Sequence, residues 1–236
     1  MGFFLMMDPL YLIMIVPTTI LAIWAQMKVK GSFKKFSKYT TSRKLTGAQA
    51  AEAVLGYAGI RDVRIEETKG FLSDHYDPRS KVLRLSPDVF RGQSISSAGV
   101  AAHEAGHAIQ HAKGYAPLKL RNAMVPMASF GSYLAMPMII FGMFLQSMQL
   151  MQFGVLAFAI LVVFQMITLP VEFDASSRAK AMLVKSGVIA NQAEADGVGK
   201  VLNAAAMTYV AATIAAVVQL LYFAMRAGLL GGGSDD

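Results

Sequence analysis

The 236-residue sequence contains no cysteine. That absence excludes disulfide frameworks, cysteine-rich zinc fingers, iron–sulfur clusters and thiol nucleophiles, so any metal must be held by histidine, carboxylate, carbonyl or water. Charge is scarce as well: 16% of residues are charged against 55% hydrophobic, and mean hydropathy is positive. A chain of this length builds one domain core, but not one large enough to absorb that apolar excess, which therefore belongs in lipid. Histidine is rare, at four residues, and neither an internal repeat nor a low-complexity segment is present. The net charge of +7 does not point to nucleic acid. The basic residues cluster beside apolar runs, where membrane orientation and attraction to anionic lipid account for them.

Residues 9–27 form an uncharged run long enough to cross the hydrocarbon core as a helix. A cleaved signal peptide is disfavoured, because Asp8 precedes the run and the basic residues follow it. Residues 122–171 are also uncharged, about twice the length of one span, with a polar break at Gln146, Ser147, Gln149 and Gln152. A helical hairpin follows, with helices near 124–145 and 152–169. Residues 201–225, ended by Arg226, supply a fourth span. Lys28, Lys30, Lys34, Lys35, Lys38, Arg43 and Lys44 occur with no acidic residue among them, which assigns that segment to the cytoplasm. The expected fold is a mainly α membrane protein with about four transmembrane helices and a small cytoplasmic α+β domain. Its parts are a 1–27 anchor, a 28–121 cytoplasmic domain, a 122–171 hairpin, a 172–200 cytoplasmic segment, a 201–226 fourth span and a 227–236 tail. Both termini fall outside.

Within the cytoplasmic part, Thr46 and Gln49 are spaced as a capping box, and the Ala-rich stretch to Ala58, closed by Gly59, predicts a short helix. Residues 63–67 and 81–86 alternate or carry β-branched side chains and are separated by Gly70, Asp77-Pro78 and Ser80, as strands would be. Ser94, Ser96 and Ser97 offer N-caps for a helix over 97–112, stopped by Gly114 and Pro117.

That helix carries His103-Glu-Ala-Gly-His107. Histidines four apart project from one helix face and can take adjacent corners of a zinc tetrahedron. Glu104, beside the first, can accept a proton from zinc-bound water and pass it to a leaving amine. A catalytic zinc needs a third protein ligand and an open position. His111 lies two turns, about 12 Å, from His103 along the axis, too far for all three rings to meet one ion; a surface or supporting place suits it better. Glu172 is better placed, being the first charge after the uncharged run and falling on the same side as the histidine helix. The alternatives are an interfacial Glu172 bridged to Arg178, or Asp174 as the ligand.

Together, His103–His107, the Pro170-Val-Glu-Phe-Asp-Ala-Ser176 stretch and Ser73-Asp-His-Tyr-Asp-Pro78 resemble the YugP-type neutral zinc metallopeptidases of bacterial membranes. The likeness runs through most of the chain, as far as Asn203-Ala-Ala-Ala-Met-Thr-Tyr209. These proteins look like gluzincins, akin to CAAX prenyl endoproteases and to the heat-shock membrane protease with the same two-part motif. The resemblance implies a zincin-like domain, one Zn²⁺ per chain on His103, His107 and Glu172, and Glu104 as the base. Many relatives carry Asp four residues after the ligand Glu, supporting a His; here Ser176 stands there, with Asp174 a substitute. His75 or Tyr76 can donate to the oxyanion, as can Arg178, which can instead pair with Asp174. By the same resemblance, an edge strand over 82–85 would align an extended substrate.

The expected function is zinc-dependent endopeptidase activity at the cytoplasmic membrane face, on peptide or protein substrates that include membrane proteins. A site-2 intramembrane protease fits less well, because residues 94–99 and 110–113 are too polar for a span. A non-hydrolytic metal-binding scaffold or transporter would have no use for Glu104.

Overall fold

The computed structural model describes residues 8–70 and 73–230, so the last part of the expected tail lies outside the described residues. In chain order the elements are α1 (Pro9–Phe36), α2 (Gly47–Tyr57), β1 (Arg64–Glu67), β2 (His75–Asp77), β3 (Val82–Leu85), α3 (Pro87–Phe90), α4 (Ile95–Ala112), α5 (Ala116–Phe144), α6 (Met148–Lys185) and α7 (Gln192–Arg226). The chain is mostly helical. Among the described residues four helices, α1, α5, α6 and α7, are long and apolar enough to cross a membrane.

All four outrun the uncharged segments that announce them. Helix α1 continues through Lys34 and Lys35, α6 continues past Glu172 to Lys185, and α7 begins before Lys200. The physical reason is that a charge ends a span without ending a helix: Lys, Glu and Arg are good helix formers once outside hydrocarbon. The break between α5 and α6 is shorter than the glutamines suggest. Gln146 takes a left-handed φ of 53°, whereas Gln149 and Gln152 lie inside α6. Helix α4 ends at Ala112 as expected, with Gly114 left-handed at φ 64° beyond it, and Pro117 sits in the first turn of α5, where its missing N–H has no helical partner to lose.

Two compact units form from interleaved stretches of chain. The first takes Met1–Trp24, Leu120–Leu169 and Tyr209–Asp236. Its interior is built on Ile139, Met151, Val155, Tyr222 and Phe223, with a second cluster around Ala135, Phe158, Val162 and Ala216. Helices α5 and α6 approach at backbone range, since a Cβ on Gly154 would lie 2.8 Å from the Ile139 nitrogen; small residues allow this kind of contact between apolar helices. Ile13, Phe130, Phe141, Phe153 and Leu156 are exposed. Apolar exposure on that scale suits a surface that meets hydrocarbon rather than water.

The second unit takes Ala25–Lys119 and Pro170–Thr208. Its three-stranded sheet has the order β1-β3-β2, with β1 parallel to β3 (Arg64 opposite Val82) and β2 antiparallel to it (Tyr76 opposite Leu83). Residues 82–85, expected as an edge strand, are instead the central strand, paired on both sides and so unable to take an added substrate strand. Val82, Leu83 and Leu85 are fully buried and join a core with Val54 and Leu55 of α2, Ala101, Ala105 and Ile109 of α4, and Leu183 of α6. The expected capping box is formed: Thr46 accepts from Gln49 N at 3.2 Å while Gln49 Oε1 accepts from Thr46 N at 2.9 Å. Gly59 terminates the helix with φ 77°. The sheet has one strand more than the sequence announces, because His75 and Tyr76 are themselves an edge strand. Asp77-Pro78 is the turn that folds it back, with Asp77 accepting from Arg79 N at 2.9 Å and Ser80 Oγ at 2.6 Å.

Candidate metal centre

Helix α4 begins two residues earlier than the serine pattern suggests. Ser94 is its N-cap, accepting from Ser97 N at 3.1 Å. From there the helix runs through the middle of the second unit, and one face is held against α6 by a residue without a side chain. A Cβ on Gly106 would lie 2.7 Å from the Ala175 carbonyl oxygen, a distance that real side chains do not tolerate. Glycine between Glu104 and His107 thus lets two helix backbones touch. That contact brings the turn bearing Glu172 up to the histidines.

Three groups converge there. His103 Nε2 lies 3.2 Å from Glu172 Oε2, and His107 Nε2 lies 3.6 Å from the same oxygen. One donor atom from each of the three falls within 4.8 Å of the others. The rings of His103 and His107 stand 4.8 Å apart at 82°. Donors about 2.0–2.1 Å from a tetrahedral zinc are separated from one another by about 3.3 Å. The two nitrogen–oxygen separations bracket that value and all three donors lie within 4.8 Å of one another, so an N₂O set stands close to zinc spacing. Glu172 is buried to 2% exposure. A carboxylate so deep is costly unless a cation or several donors meet it, and here both imidazoles point at it.

The back of each ring is also held. His107 Nδ1 lies 2.9 Å from Gln110 Oε1. The Gln110 amide nitrogen is turned the other way, donating to the Val171 carbonyl at 2.8 Å and to Asp174 Oδ2 at 2.8 Å. With the amide so fixed, its oxygen can only accept, so His107 carries its proton on Nδ1 and presents a lone pair at Nε2. His103 Nδ1 lies 3.2 Å from Ser176 Oγ, a hydroxyl that accepts from Nδ1–H when Nε2 is directed to a metal. Arg178 in turn donates to Asp174 at 2.5 Å and lies over the Tyr115 ring. Metal ligands are commonly oriented in this way by an outer ring of hydrogen bonds.

Glu104 is buried, at 8% exposure, and is not one of the three converging donors. Its charge helps to raise the nearby Asp74, which is driven up mainly by burial against the lowering hydrogen bonds from Ser86. His107 feels opposing influences. Burial pushes its imidazole down, but the hydrogen bond to Glu172 and the charges of Glu104 and Glu172 outweigh it, and the ring sits above its usual value. An ion held on that ring would have to displace the proton at Nε2. Zinc affinity is therefore expected to fall as pH drops, with the loss setting in above the ordinary histidine range; competition against a zinc-chelating dye across pH measures it. An affinity flat through neutrality would contradict the proton competition.

The remaining candidates are more dispersed. His75 is exposed, its Nδ1 2.8 Å from the Ser73 carbonyl. The Tyr76 hydroxyl lies 2.9 Å from His111 Nδ1, and burial, with the charges of Asp62 and Asp77, raises the phenol to about 12. Arg178 takes the Asp174 pairing. Asp174 reaches His107 only through Gln110. Sequence reasoning missed Gln110 altogether, although a signal existed: three residues after His107, it is a polar residue on the buried side of the helix, and its exposure is 0%. Gln110→Leu is expected to weaken zinc binding about 10–100-fold, the usual cost of losing a partner behind a metal ligand, with helicity by circular dichroism unchanged. Wild-type affinity in that variant would reduce Gln110 to packing.

The comparisons with known proteins point the same way. The family described as "putative neutral zinc metallopeptidase" matches residues 11–228. The chain is 48% identical over 205 residues to the "putative membrane protease YugP" of Bacillus subtilis (strain 168), an alignment covering 87% of this chain and 91% of that protein. No solved structure matches it.

Proposed function

The chain belongs to the neutral zinc metallopeptidase family, and on that footing we propose that it is a membrane-embedded zinc endopeptidase whose site opens to the cytoplasmic face. The observation that carries this reading is the meeting of His103, His107 and Glu172 within 4.8 Å of one another beside a buried Glu104 that is not part of the donor set. His103, His107 and Glu172 would hold one zinc, which supplies Lewis acidity to the scissile carbonyl and makes the attacking water more acidic. Glu104 takes the proton from that water and delivers it to the leaving amine. Gln110 and Ser176 keep both imidazoles in the tautomer that directs Nε2 forward. The site thereby needs no rearrangement before chemistry, since its orienting bonds exist without substrate.

Sidedness follows from the basic run between Lys28 and Lys44, which favours the cytoplasm. A metal-binding scaffold or transporter is disfavoured by Glu104, which such a role leaves without a use. The test is a comparison of membrane proteomes from cells carrying wild type and Glu104→Gln. Peptides that accumulate as intact precursors only in the variant identify substrates, and indistinguishable proteomes would count against proteolysis.

A further inference from the structure

In the second unit a cavity of about 550 Å³, lined by none of His103, His107 and Glu172, opens among α1, α6 and α7. Lys28 and Lys35 from α1 and Lys200 from α7 line it, and among the described residues no acidic side chain does. Ser32 and Asn203 add neutral polar atoms, and Phe36, Phe173 and Met207 form an apolar border. Helical spacing explains the grouping: 28, 32, 35 and 36 share one face of α1, and 200, 203, 204 and 207 share one face of α7.

The position of these residues along the chain says what such a cavity is suited to hold. Lys28 is the first charge after the uncharged run 9–27, and Lys200 is the last before the uncharged run 201–225. Phe173 directly follows Glu172, the first charge after the uncharged run 122–171. Three separate helices thus bring their apolar-to-charged boundaries into one cavity. In a spanning protein that boundary lies at headgroup depth, where a basic pocket between helices suits an anionic lipid.

We propose that this cavity binds the phosphate headgroup of an anionic phospholipid, with Lys28, Lys35 and Lys200 meeting the phosphate and the Phe36, Phe173 and Met207 border meeting the start of the acyl chains. Lys35 also lies over the Phe36 ring at 5.6 Å, so one lysine stem is already laid along the apolar border. A neighbouring groove is a built-in control. It shares Lys200 and Asn203 but adds Lys180 and Lys185 together with Asp196, whose carboxylate opposes an anion. The proposal rests on the helices crossing a bilayer and not on peptide hydrolysis, so its test reads lipid retention with no substrate present.

Full-length protein is taken from vesicles of equal parts phosphatidylglycerol and phosphatidylcholine, and retained lipid is identified by native mass spectrometry. Wild type is expected to keep phosphatidylglycerol preferentially. Each of Lys28→Gln, Lys35→Gln and Lys200→Gln is expected to lower that retention about fivefold, while Lys185→Gln leaves it unchanged. Circular dichroism of each single variant verifies the fold, and the exposed Lys200 alone suffices if a change in α1 disturbs it. Equal retention of the two lipids by wild type, or undiminished phosphatidylglycerol in a folded Lys200→Gln protein, overturns the proposal. Displacement of the lipid by inorganic phosphate at matched concentration also overturns it, by showing a site for the free anion.

Discussion

Glu104→Gln is expected to leave zinc content at the wild-type level while peptide cleavage falls about 10²–10⁴-fold, the usual contribution of a positioned general base. The substitution is nearly isosteric, so the 8% exposed side chain keeps its shape in a packed site. It removes only the ability to accept a proton. Zinc should remain because the converging donors come from His103, His107 and Glu172 alone. One further change accompanies it: the Glu104 charge is among the influences that raise His107, so its removal lets the metal-free imidazole shed its proton more readily. The same lost charge also withdraws an attraction for the zinc dication, so the two effects oppose and zinc affinity near neutral pH is expected to stay close to wild type. Metal content by atomic emission and turnover on a reporter substrate check the two halves together. Loss of zinc would make Glu104 a ligand, and undiminished turnover would remove it from the proton path.

The structure shows unevenly how much of this was legible in the sequence. The four long helices were, because an uncharged run long enough to span has few other uses in a chain this small. Their true ends were not, since helix propensity continues through Lys34, Glu172 and Lys200 after hydropathy has stopped giving a signal. The His103–His107 spacing on a helix could be read from periodicity alone. The approach of Glu172 could be guessed from charge and sidedness, yet what enforces it is the contact at Gly106, a distance between two backbones far apart in sequence. The edge strand at His75–Asp77 was hidden because Asp77-Pro78 looks like a separator until the Asp77 side chain is seen closing a tight turn. Gln110 was hidden for a related reason: its value lies in three partners, His107, Val171 and Asp174, two of them on another helix.

For Glu172→Ala the expected loss is of the metal itself, with zinc affinity falling by more than the 10–100-fold that removal of a supporting partner costs. The Glu172 carboxylate is the one anion in the donor set, and its Oε2 lies 3.2 and 3.6 Å from the Nε2 atoms of His103 and His107. Two imidazoles left alone offer an incomplete shell, since a catalytic zinc takes three protein ligands. Asp174 is poorly able to substitute, because Gln110 and Arg178 already hold it. Glu172→Asp separates charge from reach: it keeps the anion on a stem one methylene shorter, while α6 is fixed against Gly106 and cannot follow. An intermediate affinity for Glu172→Asp, between wild type and Glu172→Ala, is therefore expected in zinc titrations of purified protein. Unchanged zinc binding in Glu172→Ala would move the third ligand elsewhere, and the reading of the buried carboxylate as a metal donor would fail with it. The outcome decides more than one ligand, because the carboxylate and the two histidines are the only grouping among the described residues that could hold a metal ion.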